Sequence, residues 1–264
     1  MRTVTSLSND TVKSVRALHM KKAREETGLF LAEGLKIVTE AVETGHAPRT
    51  LLFGPDARDH PLLRLAVRAC EAAGGEAVEV TREILEKVSR RENPQAVVGV
   101  FQEAWTPLEA IRPRNAPCWV ALQAVRDPGN LGTVVRTADA AGCGGVILVG
   151  DCVDPYSVEA VRATMGSIFA VKIARASVEA FSAWRPAWPG SVVGTLLTAP
   201  HDYRAAPYRR PALLLMGNEQ QGLPLELAAL CDVNVKIPMR GRADSLNLAV
   251  ATGIMIYAAT DDAA

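Results

Sequence analysis

The chain has 264 residues, 48% of them hydrophobic and 22% charged, which excludes a disordered chain and allows one large or two modest cores. Lysine plus arginine and aspartate plus glutamate both number 29, so a chain-wide attraction to polyanions is excluded and only local patches are left to supply one. The five cysteines (Cys70, Cys118, Cys143, Cys152 and Cys231) form no CxxC pair, which argues against a zinc ribbon or disulfide framework and for a reducing, cytoplasmic setting.

The opening MRTVTSLSNDTVKSVRALHM lacks the apolar centre of a secretory signal. The longest greasy run, LNLAVATGIMIYAA, falls short of the roughly 20 residues that span a bilayer, so a soluble, unexported chain is expected. Periodicity then predicts helix 9–21, strand 29–32, helix 35–44, strand 49–53, helix 61–73, strand 77–80, helix 82–88 and strand 96–101. That alternation predicts a small α/β domain over residues 1–105. Residues 106–116 lie in QEAWTPLEAIRPRNA, which mixes prolines and charges without a period and reads as a linker.

A second domain is expected over 117–264. From residue 118 the pattern gives a strand, helix 131–141, strand VILVG, helix 157–165, strand FAVKI, helix 178–184, strands SVVGTLL and ALLLMG, helix 224–230, strand VNVKIP and helix 246–259. Apolar strands separated by helices predict a mainly parallel sheet covered on both faces, with ligands collecting beyond the carboxyl ends of its strands.

Three loops in this domain carry polar chemistry. In RDPGNLGTVVRTADAAG, residues 126–142, Leu131, Val134, Val135 and Ala138 form a buried helical stripe, Asn130 stands at the expected N-cap and Arg136 falls off the stripe. Asn130 and Arg136 are separated by roughly 9 Å of helical rise, so both reach one groove only if the loop curls back; a capped helix with a solvated arginine explains them equally. No GxxxxGK[ST] is present, and Gly142, Gly144 and Gly145 precede a strand instead of following one, which supports neither an ATP loop nor a dinucleotide loop.

In MGNEQQGLP, residues 216–224, Gly217 permits close backbone approach to a ligand, Glu219 is a carboxylate in a tight turn and Pro224 opens a helix at its first position. A plain strand-to-helix turn is the alternative. In IPMRGRADSLNLAVATGIMIY, residues 237–257, Asp244 or Ser245 is the expected cap of a buried helix, and Asn247 is an amide that needs a partner there, whether structural or functional.

Elsewhere, Lys13, Arg16, His19, Lys21, Lys22 and Arg24 form a basic run, readable as a solvated helix face or a phosphate-binding patch. His19, His46, His60 and His201 lack metal-ligand spacing, so no metal is expected. Trp105, Trp119, Trp184 and Trp188 do not interleave with basic residues and are assigned to packing.

In this order and spacing, DPGNLGTVVRTADAAG, LLLMGNEQQGL and IPMRGRADSLNLAVATGI resemble the three signature motifs of the SpoU (TrmH-like) branch of the SPOUT RNA 2′-O-ribose methyltransferases, over about residues 116–260. The stretch SLSNDTVKSVRALHMKKAREETGLFLAEGLKIVTEAVETG resembles the ribosomal-L30-like substrate-binding domain that precedes the catalytic domain in many members. The resemblance implies an α/β fold with a deep trefoil knot, S-adenosylmethionine as methyl donor without a metal, a homodimer, and RNA as substrate, ribosomal RNA ahead of tRNA. A non-catalytic RNA-binding protein with a degenerate methyltransferase domain is the alternative from another class.

Matched residue by residue, the resemblance implies Asn130, Arg136, Glu219, Ser245 and Asn247 as catalytic and RNA-contacting positions. It implies backbone at Gly217, Ile237 and Leu246, with Thr195 and Leu196, around the adenosylmethionine, and phosphate contacts from Lys13, Arg16, Lys21, Lys22 and Arg24. Glu219 is expected to fix Arg136 or a neighbouring loop by a charge-assisted bond, while Tyr156 and Ser157 either shape the target pocket or serve structure. One departure stands out: the family's second motif usually has a glycine after the Glu-x step, as in NEGxG or NExxG, and here Gln220 and Gln221 lie between Glu219 and Gly222, while Gly217, Asn218, Glu219 and Gly222 are kept.

Overall fold

The structure, a computed structural model, describes residues 2–261, which divide into two compact units: 2–103 with Asp154–Phe169, and Ala104–Val153 with 170–261. The first unit contains β1 (Arg2–Val4), α1 (Asp10–Ala17), α2 (Lys21–Thr27), β2 (Leu29–Glu33), α3 (Leu35–Glu43), β3 (Thr50–Phe53), α4 (Pro61–Ala72), β4 (Glu76–Val80), α5 (Arg82–Ser89) and β5 (Val97–Gln102). Its sheet runs β1-β4-β3-β5-β2, with β5 antiparallel to both neighbours. Val12 and Val15 of α1 and Ile84, Leu85 and Val88 of α5 close one apolar core over Leu31, Leu52, Val78, Val98 and Val100.

The expected helix 9–21 is two helices. The Arg24 guanidinium takes the Leu18 carbonyl at 2.8 Å, and Met20 is extended (φ −87°, ψ 129°), so the chain breaks and restarts at Lys21. Strand β1 carries no alternating apolar signal and is fixed only by pairing with β4, which is why periodicity misses it.

The second unit contains β6 (Cys118–Gln123), α6 (Pro128–Ala140) and β7 (Gly145–Val149). The chain then gives α7 (Val158–Thr164) to the first unit before resuming with β8 (Lys172–Ala176), α8 (Val178–Trp184), β9 (Val192–Thr195), β10 (His201–Asp202), β11 (Ala212–Met216), α9 (Leu225–Ala228), β12 (Val233–Lys236) and α10 (Leu248–Thr260). Seven strands in the order β10-β12-β9-β11-β6-β7-β8 pair in parallel throughout. Strands β6, β7 and β11 are apolar at successive positions because both faces are buried, as a parallel sheet requires. Trp119 and Trp188 belong to this core, with Trp184 packed on it.

Asp154–Phe169 departs from the single domain expected over 117–264. Asp154 Oδ2 accepts Arg24 Nε at 2.9 Å and Nη2 at 2.6 Å, and Glu33 Oε2 accepts Arg162 Nη2 at 2.8 Å. Tyr156 and Phe169 complete an aromatic cluster on Phe30, with centroids 4.8 and 5.7 Å away. Phe169 is thereby taken from the expected strand FAVKI, and β8 starts only at Lys172. The segment expected as a linker is also ordered: Thr106 N donates to Ile173 O at 2.8 Å, and Leu108 and Ile111 enter the second unit's core.

Candidate active site

The loops leaving the carboxyl ends of β6, β9, β11 and β12 gather on one side of the parallel sheet, the place where its geometry leaves a crevice. After β6 the chain turns through Ala124 (φ 46°), and Asp127 caps α6 by accepting Asn130 N at 2.6 Å, with Pro128 as the first helical residue. Asn130 is therefore not the N-cap. It lies inside the first turn, which leaves its side chain free to reach another loop; the Asp-Pro pair was the overlooked cap signal.

The turn after β11 is closed by its own residues. Asn218 Oδ1 accepts Gln220 N at 2.9 Å and Gln221 N at 2.7 Å, and Gly222 (φ 69°) returns its N–H to Asn218 O at 3.1 Å. A Cβ on Gly217 would collide with the backbone of Gly222 and Leu223, so the tightness of the turn requires glycine here, and the same residue lines the cleft beside it. Gln220 and Gln221 belong to this turn through their N–H groups and are exposed, so the loop accommodates both. Pro224 is the N-cap of α9 rather than its first residue.

At α10 the cap is Asn247, not Asp244 or Ser245: its Oδ1 accepts Ala249 N at 2.9 Å and Val250 N at 3.3 Å. With that oxygen engaged, Asn247 must present its Nδ2, which donates to Asn130 Oδ1 at 2.8 Å. Asn130 in turn donates its own Nδ2 to Glu219 Oε1 at 3.0 Å. One hydrogen-bonded line thus joins all three loops, and backbone N–H groups at one end and a carboxylate at the other fix its direction.

Burial works to raise the Glu219 carboxyl, but Asn130 and the backbone amides of Arg126 and Asp127, each 3.4 Å away, outweigh it and hold the group below the usual glutamate value. Glu219 therefore fixes the neighbouring β6–α6 loop and makes no bond to Arg136. Arg136 is exposed on α6 and has no hydrogen-bond or ion-pair partner among the described residues. Ser245 donates to Asp244 Oδ1 at 3.3 Å.

A cleft of about 900 Å³ opens beside this line, and Thr195, Leu196, Gly217, Ile237 and Leu246 all line it, together with Glu219, Ser245 and Asn247. Its walls are apolar at Leu196, Leu223, Met239 and Leu246 and polar along the two turns, and its size is that of a small-molecule site. Arg136 is not part of its lining. Sequence reasoning missed Asp127, and also Arg126, whose Nη1 meets Asp151 Oδ2 at 2.7 Å beside the same turn.

In the first unit the basic run separates. Arg24 is buried and fully engaged by Asp154 and the Leu18 carbonyl, so it is withdrawn from the expected phosphate contacts. Lys13, Lys21 and Lys22 sit 3.4, 3.7 and 3.8 Å from Asp10, Glu25 and Glu26, loose exposed pairs that cost little to open. Arg16 is exposed and has no such partner among the described residues. His19 bonds the Val88 carbonyl at 2.6 Å and is structural.

A family model described as the SpoU rRNA Methylase family matches residues 117–257, and one described as the MRM3-like substrate binding domain matches residues 9–99. The chain is 30% identical to the 23S rRNA (guanosine(2553)-2'-O)-methyltransferase RlmP of Bacillus subtilis over 97% of its own length and 98% of that protein's. Among solved structures, the AdoMet-bound rRNA methyltransferase from Sinorhizobium meliloti matches with a TM-score of 0.91 and 50% identity, covering 98% of this chain and 97% of the other. The SpoU methyltransferase AviRb from Streptomyces viridochromogenes, in complex with AdoMet, matches with a TM-score of 0.82 and 31% identity over 96% and 97% of the two chains.

Proposed function

The chain belongs to the SpoU rRNA methylase family, and on that premise we propose that it transfers a methyl group from S-adenosylmethionine to a ribose 2′-hydroxyl of ribosomal RNA. The observation that carries the reading is the line from Glu219 through Asn130 to Asn247, which joins the three family motifs beside a cleft sized for the cofactor. Ribosomal RNA is favoured over tRNA by the relatives, named as 23S rRNA 2'-O-methyltransferases along nearly the whole chain.

The cleft residues fit an adenosine-bearing ligand. Apolar walls at Leu196, Met239 and Leu246 would suit an adenine ring, and Gly217, Ile237 and Leu246, which line the same cleft, would hold the cofactor through their backbone. When bound, S-adenosylmethionine supplies an electrophilic methyl on a good leaving group. The protein's work is then alignment and charge. Asn130 and Asn247 hold the β6–α6 and β12–α10 loops at one spacing. Arg136 anchors a phosphate beside the target ribose and stabilises negative charge growing on its 2′-oxygen. A guanidinium is not deprotonated in proteins, so the proton leaves to a phosphate oxygen or to water instead of to Arg136.

From the resemblance to the SPOUT fold we infer a deep trefoil knot in the second unit. A homodimer is supported by α10, an apolar helix on which Val250 and Tyr257 are 52% and 57% exposed. Five free cysteines support a cytoplasmic setting. No helix among the described residues is long and apolar enough to cross a membrane. The test is incubation with radiolabelled S-adenosylmethionine and total RNA from a strain lacking the gene, followed by mapping of ribose methylation. Label confined to protein or small molecules overturns the assignment.

A further inference from the structure

Arg24 is buried in its ion pair, whereas Lys13, Arg16, Lys21 and Lys22 stay exposed on the first unit, and further exposed cations stand beside the cleft of the second. The loop between β12 and α10 supplies two. Ile237 and Met239 line the cleft; the chain then swings outward through Arg240, Gly241, Arg242 and Ala243, all exposed, before Asp244 to Asn247 line the cleft again. Arg240 and Arg242 thus stand on the outer bend of a loop whose two limbs belong to the site.

Neither arginine has a hydrogen-bond or ion-pair partner among the described residues, although Arg126, Arg185 and Arg204 of the same unit are each paired with an aspartate. A Cβ on Gly241 would meet nothing within 4 Å, so the bend is open at that residue. Two unpaired guanidinium forks on one exposed bend suit the phosphates of a strand, since a guanidinium can take a phosphate in bidentate fashion. The carboxylate of the methyl donor has the same anionic oxygens. It is a single group, however, and neither arginine lines the cleft.

We propose that Arg240 and Arg242 bind backbone phosphates of the RNA next to the nucleotide presented to the cleft. This rests on the RNA-methylating reading above. The loop that holds the cofactor cleft then also senses the strand, so substrate and methyl donor are read by one segment of eleven residues, 237–247.

The test measures binding of an unmethylated 23S rRNA transcript between about 50 and about 200 mM salt, where each lost phosphate contact removes about 0.7 to 0.9 from the slope of log affinity against log salt. Arg240→Ala and Arg242→Ala should each flatten the slope by about that amount, the double variant by about twice it, and Arg→Lys at both sites should restore it, with calorimetric S-adenosylmethionine affinity unchanged throughout. An unaltered slope in the double variant overturns the proposal. Loss of cofactor affinity with an unaltered slope also overturns it and assigns the arginines to the cofactor carboxylate. Wild-type protein that neither binds nor methylates RNA of any kind removes the functional reading itself, an outcome distinct from either.

Discussion

Asn247 donates its Nδ2 to Asn130 Oδ1 at 2.8 Å while its own Oδ1 caps α10 through Ala249 and Val250. Because a helix N–H can only donate, this cap determines which way both asparagines face and delivers Asn130 Nδ2 to Glu219. The three residues act as one unit, so their substitutions should not add. Asn130→Ala and Glu219→Ala are each expected to lower kcat by about a hundredfold through misplacement of the loops, and the double variant little further. Single-turnover methylation of an rRNA transcript checks this; losses that multiply would show that the two side chains act independently.

Arg136 differs from these residues in having no hydrogen-bond or ion-pair partner among the described residues and no place in the cleft wall. Arg136→Ala should therefore abolish methylation, with a loss of about 10² to 10³ or more in kcat, while calorimetric cofactor affinity stays near wild type. Arg136→Lys should recover only part of the rate, since it keeps the charge and loses the fork. Equal loss of catalysis and cofactor binding in Arg136→Ala would contradict this division of roles.

Legibility in the sequence followed the range of the interactions that decide each feature. Helix α8 and strand β11 are set by local periodicity, and their expected positions match the structure to within a residue. The caps of α6 and α10 were displaced by a few residues because several adjacent polar side chains competed for one role, and Asp127 and Asn247 won by geometry. The Asn130 contacts join residues 89 and 117 positions apart, which no local pattern encodes; only the resemblance to known motifs placed them together. The assignment of Asp154–Phe169 to the first unit was invisible for the same reason, since Arg24 and Asp154 are 130 positions apart.

That ion pair gives a stability prediction. Arg24 and Asp154 side chains are 4% and 14% exposed, so removing either leaves a charge buried without its partner. Arg24→Ala and Asp154→Ala should each destabilise the protein by about 3 to 5 kcal/mol. Replacing both with apolar residues of similar volume should recover part of the loss. Urea unfolding followed by near-UV circular dichroism tests this, and a double variant less stable than either single one would oppose it.

Glu219 gives the pH dependence. Burial opposes ionisation, but Asn130 and the Arg126 and Asp127 amides prevail, so the folded-state carboxyl titrates below its ordinary value. Protonation is therefore harder in the folded chain than in the unfolded one. The carboxylate's contribution to stability is complete above the unfolded value and disappears as pH falls through the folded one. Wild type and Glu219→Gln should accordingly differ most in urea midpoint near about pH 6 and converge towards about pH 3. The difference should be small, because Glu219 is exposed and its bonds are screened by water. A gap that widens as pH falls would mean the carboxyl is raised, and that Glu219 enters the Asn130 line as a proton donor instead of an acceptor.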